Sequence, residues 1–96
     1  MEKVIFDWGS NKDELNKQKH HISFNEAQYA FFDQYRILAE DLKHSQKEKR
    51  YFCIGKVDNG IVTVRFIYRG NTIRIIGAGY WRKGAKIYAE KNKIHK

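Results

Sequence analysis

Between Arg50 and Ala78 the chain runs through three segments rich in β-branched and aromatic residues with almost nothing between them, which restricts this region to consecutive hairpins. The segments are residues 50–57 (RYFCIGKV), 61–69 (IVTVRFIYR) and 72–78 (TIRIIGA). They are separated by Asp58-Asn59-Gly60 and Gly70-Asn71, both turn signals, and Asn59-Gly60 suits a two-residue type I′ turn. Two-residue loops at both places set the register. Arg69 then faces Thr72, Ile67 faces Arg74 and Arg65 faces Ile76, while across the other hairpin Arg50 faces Arg69, Phe52 faces Ile67 and Ile54 faces Arg65. Side chains alternate with period two, so Arg50, Arg65, Arg69 and Arg74 share one face, near one end of the sheet. Tyr51, Cys53, Val57, Val62, Val64, Phe66, Tyr68, Ile73 and Ile75 form the other, the expected core face.

Directly opposed like charges destabilise a strand pair unless carboxylates or an anionic ligand compensate. The arginine face therefore reads as a phosphate site or, alternatively, as a solvated surface whose side chains splay into water. A one-residue change in either loop would break the cluster.

The distribution of charge favours an anionic partner. Of a net charge of +8, residues 1–49 carry 8 basic and 9 acidic side chains, whereas residues 50–96 carry 11 basic and 2 acidic. Such asymmetry, with a pI near 9.7, points to nucleic acid, an anionic membrane surface or an acidic protein. The membrane is the poorest of these, because no apolar run approaches bilayer length and the opening MEKVIFDW lacks the long apolar stretch of a signal peptide. A cytoplasmic location is expected.

The 96 residues, 42 % hydrophobic and without proline or a Ser/Gly-rich linker, suit one domain. The single cysteine, Cys53, falls on the core face and excludes an internal disulfide. In the first half, residues 3–8 read as a short strand. Ser10, with Asp13 three residues on, reads as the N-cap of a helix through about His20. Ser23-Phe24-Asn25-Glu26 matches a capping box and opens a second helix. Residues 35–40 suit an edge strand. After the last strand, Trp81, Ala85, Tyr88 and Ala89 share one face of a terminal helix over about 80–92, weakened by Gly84. The expected fold is α+β, an antiparallel sheet with an N-terminal helix pair on one face and a C-terminal helix, leaving the arginine face open.

Three ordered blocks then carry a family resemblance. Asn16-Lys17-Gln18-Lys19-His20-His21-Ile22-Ser23-Phe24-Asn25-Glu26-Ala27 is similar to the Asn-x-x-Lys-His-Gly-(Val/Ile)-Ser-Phe-x-Glu-Ala segment of the BrnT family of bacterial toxins. Asp41 to Arg50 resembles that family's Asp-x-x-His-Ser-x-x-Glu-x-Arg, followed by Ile54-Gly55. Tyr68-Arg69 and Ile73-Arg74-Ile75-Ile76 resemble its strand pair. The resemblance implies a RelE-like fold and a type II toxin: a ribonuclease that blocks translation by cleaving messenger RNA, free or on the ribosome, neutralised by a BrnA-like ribbon-helix-helix antitoxin. The toxin–antitoxin pair would bind operator DNA. Two positions depart from the pattern. The glycine after Lys-His is His21, which suggests a helix ending without a left-handed glycine cap, and the common Ser-Ala-Arg tail is Gly77-Ala78-Gly79, with Arg82 as the candidate substitute.

For metal-independent cleavage, a base must take the 2′-hydroxyl proton, cations must stabilise charge on the phosphate, and an acid must protonate the leaving 5′-oxygen. Arg50, Arg69 and Arg74, which are motif positions, suit the phosphate clamp, because guanidinium forks match phosphate oxygens. Arg65 is a supporting charge. His44 and Glu48 are candidate bases, with the alternatives that Glu48 orients Arg50 or Arg69 by an ion pair and that His44 caps its loop. Arg65, Lys56, Tyr80, Arg82 and Lys83 are candidate RNA contacts; Trp81 beside them closes the core edge. His20 and His21 are secondary candidates, since histidines at a helix C-terminus often only complement its dipole. No cofactor is expected. A metal site from His20, His21 and His44 is disfavoured because adjacent helical histidines point about 100° apart. The runner-up reading is a non-catalytic nucleic-acid- or partner-binding module of the same fold.

Overall fold

The computed structural model describes residues 3–93. In chain order these form β1 (Ile5–Asp7), α1 (Ser10–His20), α2 (Phe24–Ala27) continuing into a 3₁₀ turn (Gln28–Phe32), and β2 (Ile37–Glu40). A short 3₁₀ turn (Leu42–His44) leads to β3 (Tyr51–Val57), β4 (Gly60–Arg69), β5 (Thr72–Gly79) and α3 (Arg82–Asn92). The sheet runs β1-β5-β4-β3-β2. Strands β2 to β5 are antiparallel, as the short turns require, while β1 adds to β5 in parallel. The whole domain separates β1 from β5, so no hairpin dictates their relative direction.

Local chemistry sets the helix ends. Gly9, not Ser10, is the N-cap of α1 and makes no side-chain cap. Asp13 is used elsewhere: its carboxylate accepts the Phe24 N–H at 2.8 Å and ties the start of α2 to α1. At the other end of α1, His21 itself adopts the left-handed conformation (φ 61°), and its N–H donates to the Lys17 carbonyl at 3.0 Å. The helix thus ends without a left-handed glycine, as expected, but in a left-handed cap made by histidine at a cost of about 1–2 kcal/mol. The capping box is present, with the Glu26 N–H donating to Ser23 Oγ and the Ser23 N–H donating to Glu26 Oε1, both at 3.0 Å.

The core lies on the expected face. Cys53, Val62, Val64, Phe66 and Ile75 are fully buried beneath Ile22, Phe24, Ala27 and Ala30, with Tyr51, Val57 and Ile73 packed at the margin. Tyr68 is half exposed, since β4 runs past the helical cover there. Burial pushes the Cys53 thiol up to about 12, against the opposing influence of Arg36, so it remains an inert, protonated core group. Asn16, also buried, seals the edge of β5 beyond the point where β1 ends. Its Nδ2 donates to the carbonyls of Ala78 (3.0 Å) and Ile22 (2.9 Å), and its Oδ1 accepts the Ala78 N–H (3.2 Å).

The opposite face is only partly open. Helix α3 crosses the half near the β3–β4 turn, where Gly84 rests directly on the Thr63 side chain beside Ile54. A larger residue at 84 would collide, so the glycine that reads as a helix weakness is a packing contact. The helix is fastened by Tyr88, whose hydroxyl donates to Asp33 Oδ2 at 2.6 Å; Asp33 also accepts the N–H groups of Lys56 (2.7 Å) and Tyr35 (2.9 Å). Burial raises the Asp33 carboxyl, but these hydrogen bonds outweigh it and hold the group below its ordinary value. Burial and the same partner push the Tyr88 hydroxyl up to about 12.

Two register details differ from the expected ones. The β3–β4 loop is Asp58-Asn59, with Asp58 at φ 54° and Val57 paired to Gly60. This two-residue slide keeps every side chain on its face but moves its partner: Phe52 faces Arg65, and Arg50, just before β3, comes level with Ile67 instead of Arg69. Between β4 and β5 the pairs Arg69–Thr72 and Ile67–Arg74 are as expected, but an irregularity at Arg65/Phe66 then puts Arg65 opposite Gly77 and leaves Ile76 unpaired.

Candidate active site

Ile67 stands at the middle of the arginine cluster. Arg65 and Arg69 lie two residues to either side of it on β4, Arg74 is directly across on β5, and Arg50 is level with it on the β3 side. Although this half of the face lacks the α3 cover, Ile67 is only 4 % exposed. Long arginine stems can shield such a residue while their guanidinium groups stay in water. The slide in register also removes the direct opposition of Arg50 and Arg69, leaving four cations around one apolar centre.

Two of the four carry internal counter-ions. Arg69 Nε is 3.5 Å from Glu48 Oε2, with both side chains about half exposed, and Arg74 Nη1 is 3.3 Å from Asp7 Oδ1. Asp7 arrives from β1, whose register places it beside Arg74. The Glu48–Arg69 pair corresponds to the orienting role weighed above for Glu48. Pairs as exposed as these contribute at most about 1 kcal/mol each, so an incoming phosphate can displace the carboxylates.

The loop before β3 is shaped by Ser45. Its Oγ donates to the Asp41 carbonyl (2.7 Å) and accepts the Arg50 N–H (2.9 Å), while the Asp41 N–H donates to the Arg50 carbonyl (2.7 Å). The segment from Asp41 to Arg50 thereby closes on itself and presents Arg50 at the edge of the face. His44 Nδ1 is 2.9 Å from Asp41 Oδ2, an arrangement that caps the loop and also leaves Nε2 available to accept or deliver a proton. His44, Glu48 and Arg50 line one cavity of about 400 Å³. Through the Glu48–Arg69 pair this cavity adjoins the arginine face.

The remaining candidates are dispersed. Lys56 lies near the β3–β4 turn, four residues from the Phe52–Arg65 pair, roughly 13 Å along the strand. Tyr80 is half exposed and its ring lies against Gly60, at that same end. Arg82 and Lys83 are exposed in the first turn of α3. His20 is in a different place: its ring packs edge to face on Trp81 with centroids 5.0 Å apart, in a cleft that also holds Arg65. His21 serves as the α1 cap. Sequence reasoning missed Asp7, Asp41, Ser45 and Asn16. The last three lie inside the motif blocks, where the polar residues at fixed spacing were a signal, whereas nothing local pairs Asp7 with Arg74. Among the described residues no group of three or more His, Cys, Asp or Glu side chains could hold a metal ion.

With this geometry in place, comparison with known families is decisive: the model for the ribonuclease toxin BrnT of type II toxin–antitoxin systems matches residues 8–84. The chain belongs to the BrnT family. No curated protein matches it. As a BrnT member it is assigned to the ribonuclease toxins, whose partners are RNA and an antitoxin. No helix among the described residues is long and apolar enough to cross a membrane. The structure also accounts for the unusual tail of this BrnT chain. Gly79 stands where the family's Ser-Ala-Arg resemblance would put arginine, and a Cβ there would lie 2.8–2.9 Å from the Trp81 ring. Trp81 occupies that space. Arg65 reaches the altered tail, its Cδ lying 3.7 Å from a Cβ built on Gly77.

Proposed function

We propose that this chain is an endoribonuclease toxin that cleaves messenger RNA in the cytoplasm without a metal, halts translation, and is held inactive by a BrnA-like ribbon-helix-helix antitoxin, the pair binding operator DNA. The observation that carries the reading is the junction of a proton-transfer loop with a phosphate-sized cluster of cations: His44, Glu48 and Arg50 share one cavity, and Glu48 is paired with Arg69. In this mechanism the substrate phosphate takes the place of the Glu48 and Asp7 carboxylates on Arg69 and Arg74, with Arg50 completing the clamp. The released Glu48, or His44 held by Asp41, takes the proton from the 2′-hydroxyl. The 2′-oxygen attacks phosphorus, the bond to the 5′-oxygen breaks, and that oxygen receives a proton from the other member of the pair. The products are a 2′,3′-cyclic phosphate and a 5′-hydroxyl end, and the arginines stabilise the charge that accumulates between them.

A non-catalytic, RNA-binding role is the second reading. It is favoured by one feature, the replacement of the tail arginine by a glycine packed beneath Trp81. Incubating the purified chain with messenger RNA, with and without ribosomes and with a chelator, separates the two. The ribonuclease reading expects cyclic-phosphate and 5′-hydroxyl ends, unaffected by the chelator. RNA that is bound in a salt-dependent manner but recovered intact in every arm would establish the non-catalytic role.

A further inference from the structure

The bulge in β5 opens a second basic cleft. Because the ladder skips Ile76, it is Gly77 that faces Arg65, whose Cδ lies 3.7 Å from a Cβ built on that glycine, and Ile76 lines the cleft beside it. Helix α1, held against this edge by Asn16, forms the other wall. The resulting cleft, about 270 Å³, is lined by Lys12, Lys19, His20, Arg65, Gly77 and Trp81 among others. Trp81 is fixed between the Gly79 backbone and the His20 ring, so it acts as a rigid wall that holds the imidazole in place. Among the described residues Lys12, Lys19 and Arg65 form no ion pair, in contrast to Arg69 and Arg74.

We infer that this cleft is a phosphate subsite for a nucleotide flanking the one that is cut, with Lys12, Lys19 and Arg65 as its cations and His20 as a hydrogen-bonding partner. The inference rests on the ribonuclease reading and extends it. Arg65 belongs to both sites and so links them. Arg69 stands four residues further along β4, its backbone roughly 13 Å away, and its side chain turns to Glu48, whereas Arg65 lies over Gly77 with Nη1 4.0 Å from a Cβ built there. A single-stranded RNA laid across Arg74, Ile67 and Arg65 would therefore continue into the cleft, where an uncompensated cluster of cations awaits its next phosphates. Positive grooves that track a backbone in this way bind without reading the bases.

The test compares the full chain with a Lys12→Gln/Lys19→Gln variant, using a labelled oligoribonucleotide long enough to span both sites and a dinucleotide that fills only one. Loss of two phosphate contacts should reduce the slope of log affinity against log salt by about 1.4, at about 0.7 per phosphate for a single strand, and weaken binding of the long RNA on the order of tenfold. Dinucleotide binding and the thermal midpoint should not change, and Lys12→Arg/Lys19→Arg should restore the long-RNA affinity. Unchanged affinity and slope in the glutamine variant, while Arg69→Ala or Arg74→Ala still abolishes cleavage, would overturn the subsite and leave the ribonuclease reading intact. Failure of the arginine variants to affect cleavage would instead overturn that reading.

Discussion

Replacing Arg74 by alanine separates the chemical role of the arginine face from its structural one. The stability cost can be bounded from two contacts. The pair with Asp7, at 3.3 Å with side chains 33 % and 52 % exposed, belongs to the class of surface ion pairs that contribute about 0.2–1 kcal/mol. Ile67 across the ladder loses part of its cover, and uncovering a few tens of Å² of apolar surface costs roughly 0.5 kcal/mol. Together these give about 1 kcal/mol, a fall in thermal midpoint of roughly 4–8 °C for a domain of this size. Loss of a positioned cation from a developing phosphate charge is a larger effect, on the order of 100- to 1,000-fold in rate. Circular dichroism melting measures the first quantity, and single-turnover cleavage of labelled RNA below the melting range measures the second. An Arg74→Ala protein that melts a few degrees lower but cleaves within about threefold of the parent would refute the assignment and reduce Arg74 to the structural partner of Asp7. Asp7→Asn is the complementary variant. It removes the same ion pair but leaves the guanidinium free, so it should share the small stability loss and retain cleavage.

Four further outcomes follow from the fold. His21→Gly relieves a left-handed backbone at a non-glycine residue, offset by greater freedom of the unfolded chain, and should raise stability by about 0.5–1 kcal/mol with no change in cleavage; an unchanged or lower melting point would contradict the strain. Gly84→Ala should destabilise by about 1–3 kcal/mol in chemical denaturation, because the collision with Thr63 outweighs a better helix propensity. Since Asp33 is held below its ordinary value, its contribution to stability is complete above about pH 3.9 and is lost as the pH falls through the folded-state value; Asp33→Asn should be less stable at neutral pH and flatter in its acid dependence. Tyr88 has the opposite sense, its contribution complete below about pH 10 and lost as the pH rises through about 12, and Tyr88→Phe should remove the latest step in an ultraviolet tyrosine titration.

Strand identity and face were legible because alternation over residues 50–78 admits few other arrangements, and a two-residue error in register left every face unchanged. The turn itself was ambiguous, since Asp58 accepts a positive φ as readily as Asn59 does. The bulge at Arg65/Phe66 was not legible, as only Gly77 marks it and a glycine in a strand has several causes. The terminal helix was expected from its periodicity, but periodicity does not say which face of a sheet a helix will choose. Its choice of the arginine side halves the open surface and confines the candidate site to the end around Ile67. The site's cations were readable from local register, whereas Asp7 was not, because it meets Arg74 only through the parallel pairing of β1 with β5.

That parallel pairing also sets a schedule. Strand β1 can find its neighbour only after β5 has been made, so the Asp7–Arg74 contact closes a loop that contains every element between them. A fragment ending before β5 lacks Arg74 and the strand that pairs with β1, and with them the assembled arginine face. A growing chain thus cannot assemble its full arginine face until β5 has been synthesised, because topology alone keeps β1 and its Asp7 apart from Arg74 until then.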